Sequence, residues 1–591
     1  MIKKQVDFIR RKLPIFDWSP QYDIHKAVAD LVAGITMGLT LIPQSLAYAP
    51  LAGLEPQYGL YSSICGGLTY VVFGTIPELN IAPTALLSLL TYSYTHNLSY
   101  NHQTGAVLLT FVSGVIELLC GVLQLGFLVD FVSTPVVAAL TSAAAITISM
   151  SQVKNLLGLK FEAESFIEIC RKVFEHISET QLWDTVLGLL CCIVLLLMRK
   201  LKDFGHAKSD NKEELSSFRK FLFFCSLSRN AVVVLFCAVL SYILTLYNFD
   251  LFALTSYVPS GFPRVAVPEF ETFSESQNRT LNVVEMVKEL GTGTFVLPFI
   301  AILCNVAIAK AFARGKIVDA NQEMMALGLC NIFGSFFGSF PVNAMFTIAA
   351  VGNASGIKTQ FAGIYTSAMV VLSLTYLTPY FAYIPKTTLS AVIMCAVLFM
   401  VEFATTKMIW KINKIDIIPF MVTLISCLVL GVGVGIIVGV CVDLVILLYG
   451  IARPKILFEK VQLHHKKEYL RVTPTSSISF PSAQYIRENI VKYNGGLEKN
   501  NDIIVIDCHR IHKLDFTGGK CFGDLVKDLK TKGKFIVFLL PHRNMEEVIK
   551  LTCDPSIPIV HYENEVRNLI EGKIDVDKTV QNVLEETTTS L

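Results

Sequence analysis

The chain is 591 residues long, 53% of them hydrophobic and 17% charged, and its mean hydropathy is +0.54. This composition excludes an ordinary soluble globular protein, and the length allows a polytopic helical membrane domain followed by a soluble domain. The net charge of +2 gives no sign of a nucleic-acid partner. The sequence has no phosphate-binding loop, nucleophile elbow, paired catalytic carboxylates or metal-ligand spacing. We therefore expect a non-enzymatic protein with no cofactor and no metal.

The N-terminal segment, residues 1–29, is basic but has neither an apolar core nor a small-residue cleavage site. We expect it to be neither a signal peptide nor a transit peptide and to lie in the cytoplasm. Residues 30–450 contain several apolar runs of about 18 residues or more, the length that crosses a bilayer. They predict a transmembrane domain of two repeats, at about 30–250 and 290–450.

Two apolar stretches are broken near a proline, one in each predicted repeat. Pro83 interrupts residues 79–88, and Pro341 interrupts residues 340–351. Irregular backbone inside a bilayer is tolerated only where protein or a water-filled cavity receives it. Paired interruptions are typical of secondary transporters in which half-helix N-termini, each carrying about +0.5 elementary charge, face the substrate. We predict that the two breaks meet and bind an anion.

Loop charges and sequons indicate the orientation of the domain. Basic residues cluster in 199–229, 314–316 and 407–414, which predicts cytoplasmic loops and cytoplasmic termini. The sequons at Asn97 and Asn278 then fall outside as candidate glycosylation sites, whereas a third at Asn353 lies beside the second break and is expected to stay unmodified. Most of the 15 cysteines lie in apolar runs, so no disulfide framework is expected.

Two charged side chains in the membrane domain lie within or at the end of apolar runs. Glu117 lies within an apolar run and is expected to hydrogen-bond inside the membrane. Lys310 is expected to snorkel or to pair with Asp319 or Glu323. The composition changes sharply after residue 450.

The C-terminal part is divided into a linker at 451–463, an α/β domain at 464–575 and a disordered polar tail at 576–591. Strands predicted at 502–507 and 534–540 flank a helix at 519–530 that stops at Gly533, which is the pattern of a βαβ unit. We interpret Thr517 as the N-cap of that helix.

Long motifs along the chain resemble the SulP anion transporter family of sulfate permeases and prestin. They lie at 43–61, 126–133, 154–158 and 319–323. Residues 309–313 and 384–386 are most similar to the animal sodium-independent sulfate transporter branch, and 514–518 is similar to the family's STAS loop, with Phe516 in place of the first serine. The resemblance implies fourteen spans in two inverted groups of seven, core and gate bundles, a cytoplasmic STAS domain and a homodimer.

The same resemblance implies which residues line the substrate pocket. They come from the first, third and tenth spans: Gln44, Tyr48, Thr84, Ala85, Asn343, Ala344, Met345 and Ile348. Gln44 could donate a hydrogen bond to an oxyanion or bond to a neighbouring helix.

Two positions depart from the family pattern. The family's Ser-x-x-Arg of the tenth span is Met345 and Ile348 here, and the sulfate branch's eighth-span glutamate is Cys304. Losing the arginine should weaken a divalent anion more than a monovalent one, because Coulomb attraction scales with charge. Losing the glutamate removes a group suited to proton coupling.

The sequence therefore predicts an exchanger of small inorganic anions (sulfate, chloride, bicarbonate or oxalate) that works by elevator-like alternating access. The plasma membrane is the expected location, with an endolysosomal membrane as the second choice. Two alternatives stay open because of Ile348 and Cys304: an uncoupled anion channel or non-transporting membrane element, and a carrier of a less charged organic substrate.

Overall fold

The computed structural model describes residues 12–159, 161, 166–206, 226, 228–249, 251–255, 261–274, 277–313, 315, 317–463, 468–494, 503–540, 543–554 and 557–571. The chain divides into two compact units, Met1–Val442 and Asp443–Leu591. The predicted tail at 576–591 and most of the basic loop at 199–229 lie outside the described residues.

The first half of the helical unit contains a short strand between helices. Its elements are α1 (Ile15–Trp18), α2 (Ile24–Leu51), α3 (Pro56–Phe73), β1 (Ile81–Ala82), α4 (Ala85–Thr95), α5 (His102–Val122), α6 (Thr134–Leu156), α7 (Phe166–Glu175), α8 (Leu182–His206) and α9 (Arg229–Leu246). A hairpin of β2 (Glu271–Ser274) and β3 (Arg279–Asn282) follows, and α10 (Val283–Glu289) leads into the second half.

The second half repeats this arrangement of long helices around one short strand. Its elements are α11 (Gly293–Phe312), α12 (Ala320–Ser335), β4 (Asn343–Ala344), α13 (Phe346–Ser355), α14 (Ala362–Leu372), α15 (Thr378–Phe381), α16 (Lys386–Val397), α17 (Phe403–Ile412), α18 (Ile417–Leu430) and α19 (Val432–Ala452). A π-helical turn, Ser373–Leu377, joins α14 to α15.

Many of these helices are long enough to span a membrane. Within the described ranges, nine helices are long and apolar enough to cross a bilayer, which confirms the predicted class of helical membrane protein. The first of them, α2, begins upstream of the predicted boundary at residue 30, because Asp23 caps it by accepting a 2.8 Å hydrogen bond from the Lys26 backbone N–H. It continues through Pro43 and Pro50 as one helix.

The long helices pack as two groups. One group brings together α2, α3, α4, α5, α11, α12, α13 and α14, and the other brings together α6, α8, α9, α16 and α18. Small residues permit close approach in the first group: a Cβ on Gly114 of α5 would lie 2.7 Å from the backbone N of Ile332 in α12. Glycines therefore set the spacing of these helices.

The second unit is built on a five-stranded sheet in the order β5 to β9. The strands are β5 (Ile456–Gln462), β6 (Glu468–Pro474), β7 (Ile503–Asp507), β8 (Phe535–Leu539) and β9 (Ile559–Val560), and the helices are α20 (Phe480–Asn494), α21 (Phe516–Lys530), α22 (Arg543–Thr552) and α23 (Glu563–Glu571). β5 runs antiparallel to β6 and the remaining pairs are parallel. The predicted βαβ unit is confirmed.

Two sequence interpretations of this region are wrong. Residues 456–462 are a sheet strand and not part of a linker at 451–463; this edge strand buries only part of its alternating pattern and so looked like a connecting segment. The N-cap of α21 is Asp515 rather than Thr517, because the Asp515 carboxylate accepts a 2.7 Å hydrogen bond from the Gly518 backbone N–H. Gly533 follows this helix with a φ of +70°, as predicted for the stop.

A buried ion pair ties β6 to β7 in this sheet. The Asp507 side chain is buried and accepts hydrogen bonds from the Arg471 guanidinium at 2.6 and 2.8 Å and from the His509 backbone N–H at 3.0 Å. Burial alone would raise the pKa of Asp507, but the bonds from His509 and Arg471 outweigh it and hold the pKa below its usual value.

We expect Asp507→Asn to weaken this sheet at neutral pH by about 1–3 kcal/mol, because a charge-assisted pair is lost and Arg471 stays partly buried. The folded state has the lower pKa, so the stabilisation is present above the unfolded pKa and is lost as the pH falls through the folded value. Hydrogen exchange of the β7 amides in the full-length protein should show the difference at pH 7 and a smaller one below about pH 4. Asp524→Asn, which breaks a more exposed contact with Arg487, is the control and should have little effect.

Candidate functional site

The two proline breaks meet in the middle of the helical unit. β1 and β4 pair antiparallel, with Ile81 opposite Ala344 and Ala82 opposite Asn343. The Met345 backbone N–H donates to the Asn80 carbonyl oxygen at 3.2 Å, which extends the pairing. Pro83 and Pro341 are buried in the interruptions before α4 and α13. We call this pair of strands and the two helix starts after them the crossing.

The crossing presents two helix N-termini to one region. Because the strands are antiparallel, α4 and α13 leave the crossing in opposite directions. Neither Thr84, the N-cap of α4, nor Met345, the N-cap of α13, caps its helix with a side-chain hydrogen bond. The first-turn N–H groups of each helix have no intrahelical acceptor, so they can donate to an anion placed between them.

Three of the predicted site residues make side-chain hydrogen bonds at the crossing. The Thr84 hydroxyl donates to Asn343 Oδ1 at 2.8 Å, which connects the two half-helix starts. Gln44 Oε1 accepts a 3.3 Å bond from the Thr347 hydroxyl, so α2 is tied to the first turn of α13. The interhelical bond expected as one role of Gln44 is therefore formed, and its amide NH₂ is left to donate elsewhere.

The remaining predicted residues surround this centre. Ala85 begins α4, and Ala344 and Met345 are buried within and just after β4. Tyr48 lies one turn beyond Gln44 on α2 and takes part in none of the hydrogen bonds that the described residues form at the crossing. Cys304 is half-buried on α11, the helix that packs against β4.

Among the residues that the structure describes, none places a side-chain cation at the crossing. Ile348, at the position where the resemblance implies an arginine, is fully buried in the first turn of α13. Phe346, two residues before it, is 51% exposed, and Thr84 and Thr347 are half-buried, so the crossing is not completely enclosed. Positive potential at this point comes from the two helix ends.

Asn331 is a residue of this site that sequence reasoning missed. Its Oδ1 accepts from the Val342 N–H at 3.0 Å and its Nδ2 donates to the Val342 carbonyl oxygen at 3.2 Å and to Glu117 Oε2 at 2.8 Å. The amide of Asn331 thus fixes the backbone immediately before β4, and the hydrogen bond expected for Glu117 is confirmed. An asparagine within the largely apolar helix α12 was the available signal.

Asn80, beside β1, is a second missed residue. Its side chain is buried, and neither its Oδ1 nor its Nδ2 has a hydrogen-bond partner among the described residues. A buried amide without a partner is unfavourable by roughly 1–3 kcal/mol. Its place next to the strand pairing makes it a candidate to bind water or solute there.

A cavity of about 890 Å³ lies beside the C-terminal half of α4. It is lined by parts of α2, α4, α6, α16 and the junction of α18 with α19, and includes Ala47, which follows Gln44 by one turn of α2. It lies on the side toward which α4 runs, and Asn97 follows the end of α4 on that side. We call this the sequon side.

Both expected glycosylation sequons lie at this side. Asn97 and Asn278 are exposed, and the two segments touch, because the Ser274 hydroxyl donates to the Ser99 carbonyl oxygen at 2.8 Å and Gln277 Nε2 lies 3.2 Å from the Ser99 hydroxyl. Among the described residues, no group of three or more His, Cys, Asp or Glu side chains could hold a metal ion.

The architecture is that of a helical membrane transporter. The chain is similar to the structure of the murine Solute Carrier 26 family member A9 anion transporter in the inward-facing state, with a TM-score of 0.78 and 21% identity over 92% of this chain and 90% of that one. It is also similar to the transmembrane domain of the cyanobacterial bicarbonate transporter BicA, with a TM-score of 0.55 and 18% identity over 72% of this chain and 98% of that one. At these identities the likeness concerns the fold.

The chain belongs to the sulfate permease family, which it matches over residues 28–423. It is 38% identical over 537 residues to the sodium-independent sulfate anion transporter of Bos taurus, covering 90% of this chain and 86% of that protein. It is 29% identical over 575 residues to the chloroplastic sulfate transporter 4.1 of Arabidopsis thaliana, covering 92% and 80%. The family is one of transporters, and the family resemblance drawn from the motifs is confirmed.

Proposed function

We propose that this protein moves small inorganic anions (sulfate, chloride, bicarbonate or oxalate) across a membrane by exchange, and that the anion is held at the crossing. The observation that carries the proposal is the pairing of β1 with β4, which turns two uncapped helix N-termini toward one site. Sulfate permease relatives support an anion as the substrate.

The proposed mechanism is elevator-like. The first group of helices contains both half-helices and would act as the core, and the second group would act as the gate. The order of elements supports two inverted repeats of seven spans: each half has two helices, a strand with its half-helix, another helix of the first group, and then at least three further helices. Movement of the core against the gate would expose the crossing to each side in turn.

The sheet unit is proposed to be a cytoplasmic STAS domain, and the protein is proposed to form homodimers. The βαβ order around α21 supports the STAS assignment. We propose cytoplasmic termini and a plasma-membrane location, with an endolysosomal membrane as the second choice.

Flux measurements test the transport proposal directly. Purified protein in proteoliposomes should take up radiolabelled chloride or sulfate above empty vesicles, and uptake should rise when an exchangeable anion is present inside. Uptake that is driven by membrane potential and ignores the internal anion would instead identify the uncoupled channel. Absence of flux for every anion in the panel, at several pH values and potentials, would contradict transport of inorganic anions.

The carrier of a less charged organic substrate is the alternative that the cation-free crossing favours. Competition separates it from the main proposal, because an organic substrate of that kind would be accumulated while inorganic anions in excess left its uptake unchanged. Inhibition by chloride or sulfate would favour the inorganic anion.

Glycosylation tests the orientation. We expect Asn97→Gln and Asn278→Gln each to remove one N-glycan from the protein made in animal cells, because both asparagines are exposed on the sequon side. Asn353→Gln is the matched control at the far end of α13 and should leave the electrophoretic mobility unchanged. If only Asn353→Gln removes a glycan, the proposed orientation is wrong and the opposite side of the membrane domain faces outward.

A further inference from the structure

The cavity on the sequon side has a polar wall that the crossing does not use. Its α6 face carries Thr147, Ser151, Gln152 and Lys154, and its α16 face carries Lys386 and Ser390. The opposite wall, from α2 and α4, includes Ala47, Leu51 and Leu90. Gln44, Thr84, Asn343 and Met345 of the crossing are not among the lining residues.

We propose that this cavity contains a second anion subsite, formed by Thr147, Gln152 and Lys386, which holds a hydrated inorganic anion before it reaches the crossing. The inference rests on the proposed function, since it places the subsite on the same anion path.

Thr147 supplies a donor that the protein itself does not use. The threonine is 8% exposed, and its hydroxyl has no hydrogen-bond partner among the described residues. Other hydroxyls of α6 bond to backbone carbonyls of their own helix: Thr141 to Val137, Ser142 to Ala138 and Ser151 to Ile148. A buried hydroxyl that lines a cavity without making this bond is available to a solute.

Gln152 adds a second buried polar group to the same wall. It is 2% exposed, and its Nε2 lies 3.1 Å from the Ser151 hydroxyl. Both Thr147 and Gln152 line the cavity. Buried amide and hydroxyl donors of this kind suit an oxyanion or a halide.

The charges of the lining favour an anion. Among its residues the charged ones are Lys154, Lys386 and Glu55. Glu55 accepts a hydrogen bond from Gln57 Nε2, and Lys154 Nζ lies 3.4 Å from the Phe161 carbonyl oxygen. The Nζ of Lys386 forms no hydrogen bond or ion pair with the described residues, although the neighbouring Thr387 donates to the buried Asp184 at 2.9 Å.

Lys386 is also the first residue of α16. Its ammonium group and the positive end of that helix therefore act on the same part of the cavity. At about 890 Å³ the cavity is far larger than one bare ion, so the anion would keep part of its water shell there.

Kinetics measured from each side of the membrane test this subsite. Thr147→Val removes the hydroxyl at nearly constant volume, and Lys386→Gln removes the charge. We expect each to raise the half-saturating chloride concentration on the sequon side about three- to tenfold, with no change on the opposite side. Thr141→Val, on the same helix and outside the cavity lining, is the matched control. Unchanged values, or equal rises on both sides, would overturn the subsite.

Placing a positive or a negative charge at position 386 separates an electrostatic role of Lys386 from a structural one. Only an electrostatic role makes the chloride dependence of flux change with the sign of the charge. The test is made in a Cys427→Ser background, because Cys427 also lines the cavity. There, in Lys386→Cys, a positively charged methanethiosulfonate reagent should restore the chloride dependence and a negatively charged one should weaken it further, whereas Cys427→Ser alone should respond to neither. Equal effects of the two reagents would contradict an electrostatic role.

Binding can be measured without flux. Chloride should raise the Tm of the purified full-length protein, and Lys386→Gln should shift the half-saturating concentration upward. If the protein shows this shift but no flux, the result contradicts the proposed transport function and supports the anion subsite. A Tm that ignores chloride, or responds equally in the wild type and in Lys386→Gln, would overturn the subsite itself.

Discussion

Gly66→Ala is expected to abolish anion transport, because it displaces one strand of the crossing. Gly66 lies on α3 directly behind β1, and a methyl group there would overlap the carbonyl oxygen of Ile81. That carbonyl belongs to backbone and cannot rotate away. The strand must therefore move, and with it the pairing of Ile81 with Ala344 that aligns the two helix starts. Radiolabelled anion flux in proteoliposomes measures the effect.

Gly67→Ala is the control for this substitution on the same helix. A methyl group at Gly67 would first meet the Ser367 hydroxyl at 2.7 Å, a side-chain atom that can turn aside at the cost of its 3.2 Å bond to the Ile64 carbonyl oxygen. We therefore expect Gly67→Ala to fold and to keep most of the flux. Both substitutions gain about 1 kcal/mol in helix propensity, so a difference in flux between them comes from the contact with β1. Equal flux in the two variants would show that the position of β1 does not matter for transport.

Ile348→Arg is expected to shift selectivity toward sulfate by at least about tenfold relative to chloride. Ile348 lies in the first turn of α13, so an arginine there would add a cation to two helix ends. One pair of unit charges about 4 Å apart is worth roughly 4 kcal/mol at an effective dielectric constant of 20, and a divalent anion gains twice that. Part of this gain is lost to dehydration of sulfate, which is why the expected ratio is modest.

Ile348→Met separates charge from size in that experiment. Methionine is long and unbranched, and it adapts to irregular space without adding charge. Sulfate and chloride fluxes are compared in the three proteins at equal reconstitution. If Ile348→Arg and Ile348→Met have the same sulfate-to-chloride ratio, the side chain at 348 does not face the anion and the proposed position of the site is wrong.

The breaks at Pro83 and Pro341 could be predicted from the sequence because they interrupt apolar runs with residues that end regular structure. Their antiparallel pairing could not be predicted. The strands are two residues long and lie in different halves of the helical unit, remote from each other in sequence. No periodicity spans such a distance, and only packing of both halves brings Ala82 opposite Asn343.

The hydrogen-bond and ion-pair partners inside the helical unit also could not be predicted from the sequence. Lys310 pairs with Asp130 at 3.0 Å rather than with Asp319 or Glu323, because Asp319 caps α12 and Glu323 accepts hydrogen bonds from Tyr70, Thr75 and Asn305. Each of these contacts joins elements remote in sequence. The sequence shows that a buried carboxylate needs partners, but it does not show which partner is near.

The most direct test of the account is anomalous diffraction from crystals of the full-length protein soaked in bromide. We predict a bromide peak at the crossing, within hydrogen-bonding reach of the first-turn N–H groups of α4 and α13 and beside Thr84. A crossing without bromide, in crystals whose other sites are occupied at the same concentration, would contradict the claim that two helix ends hold the anion.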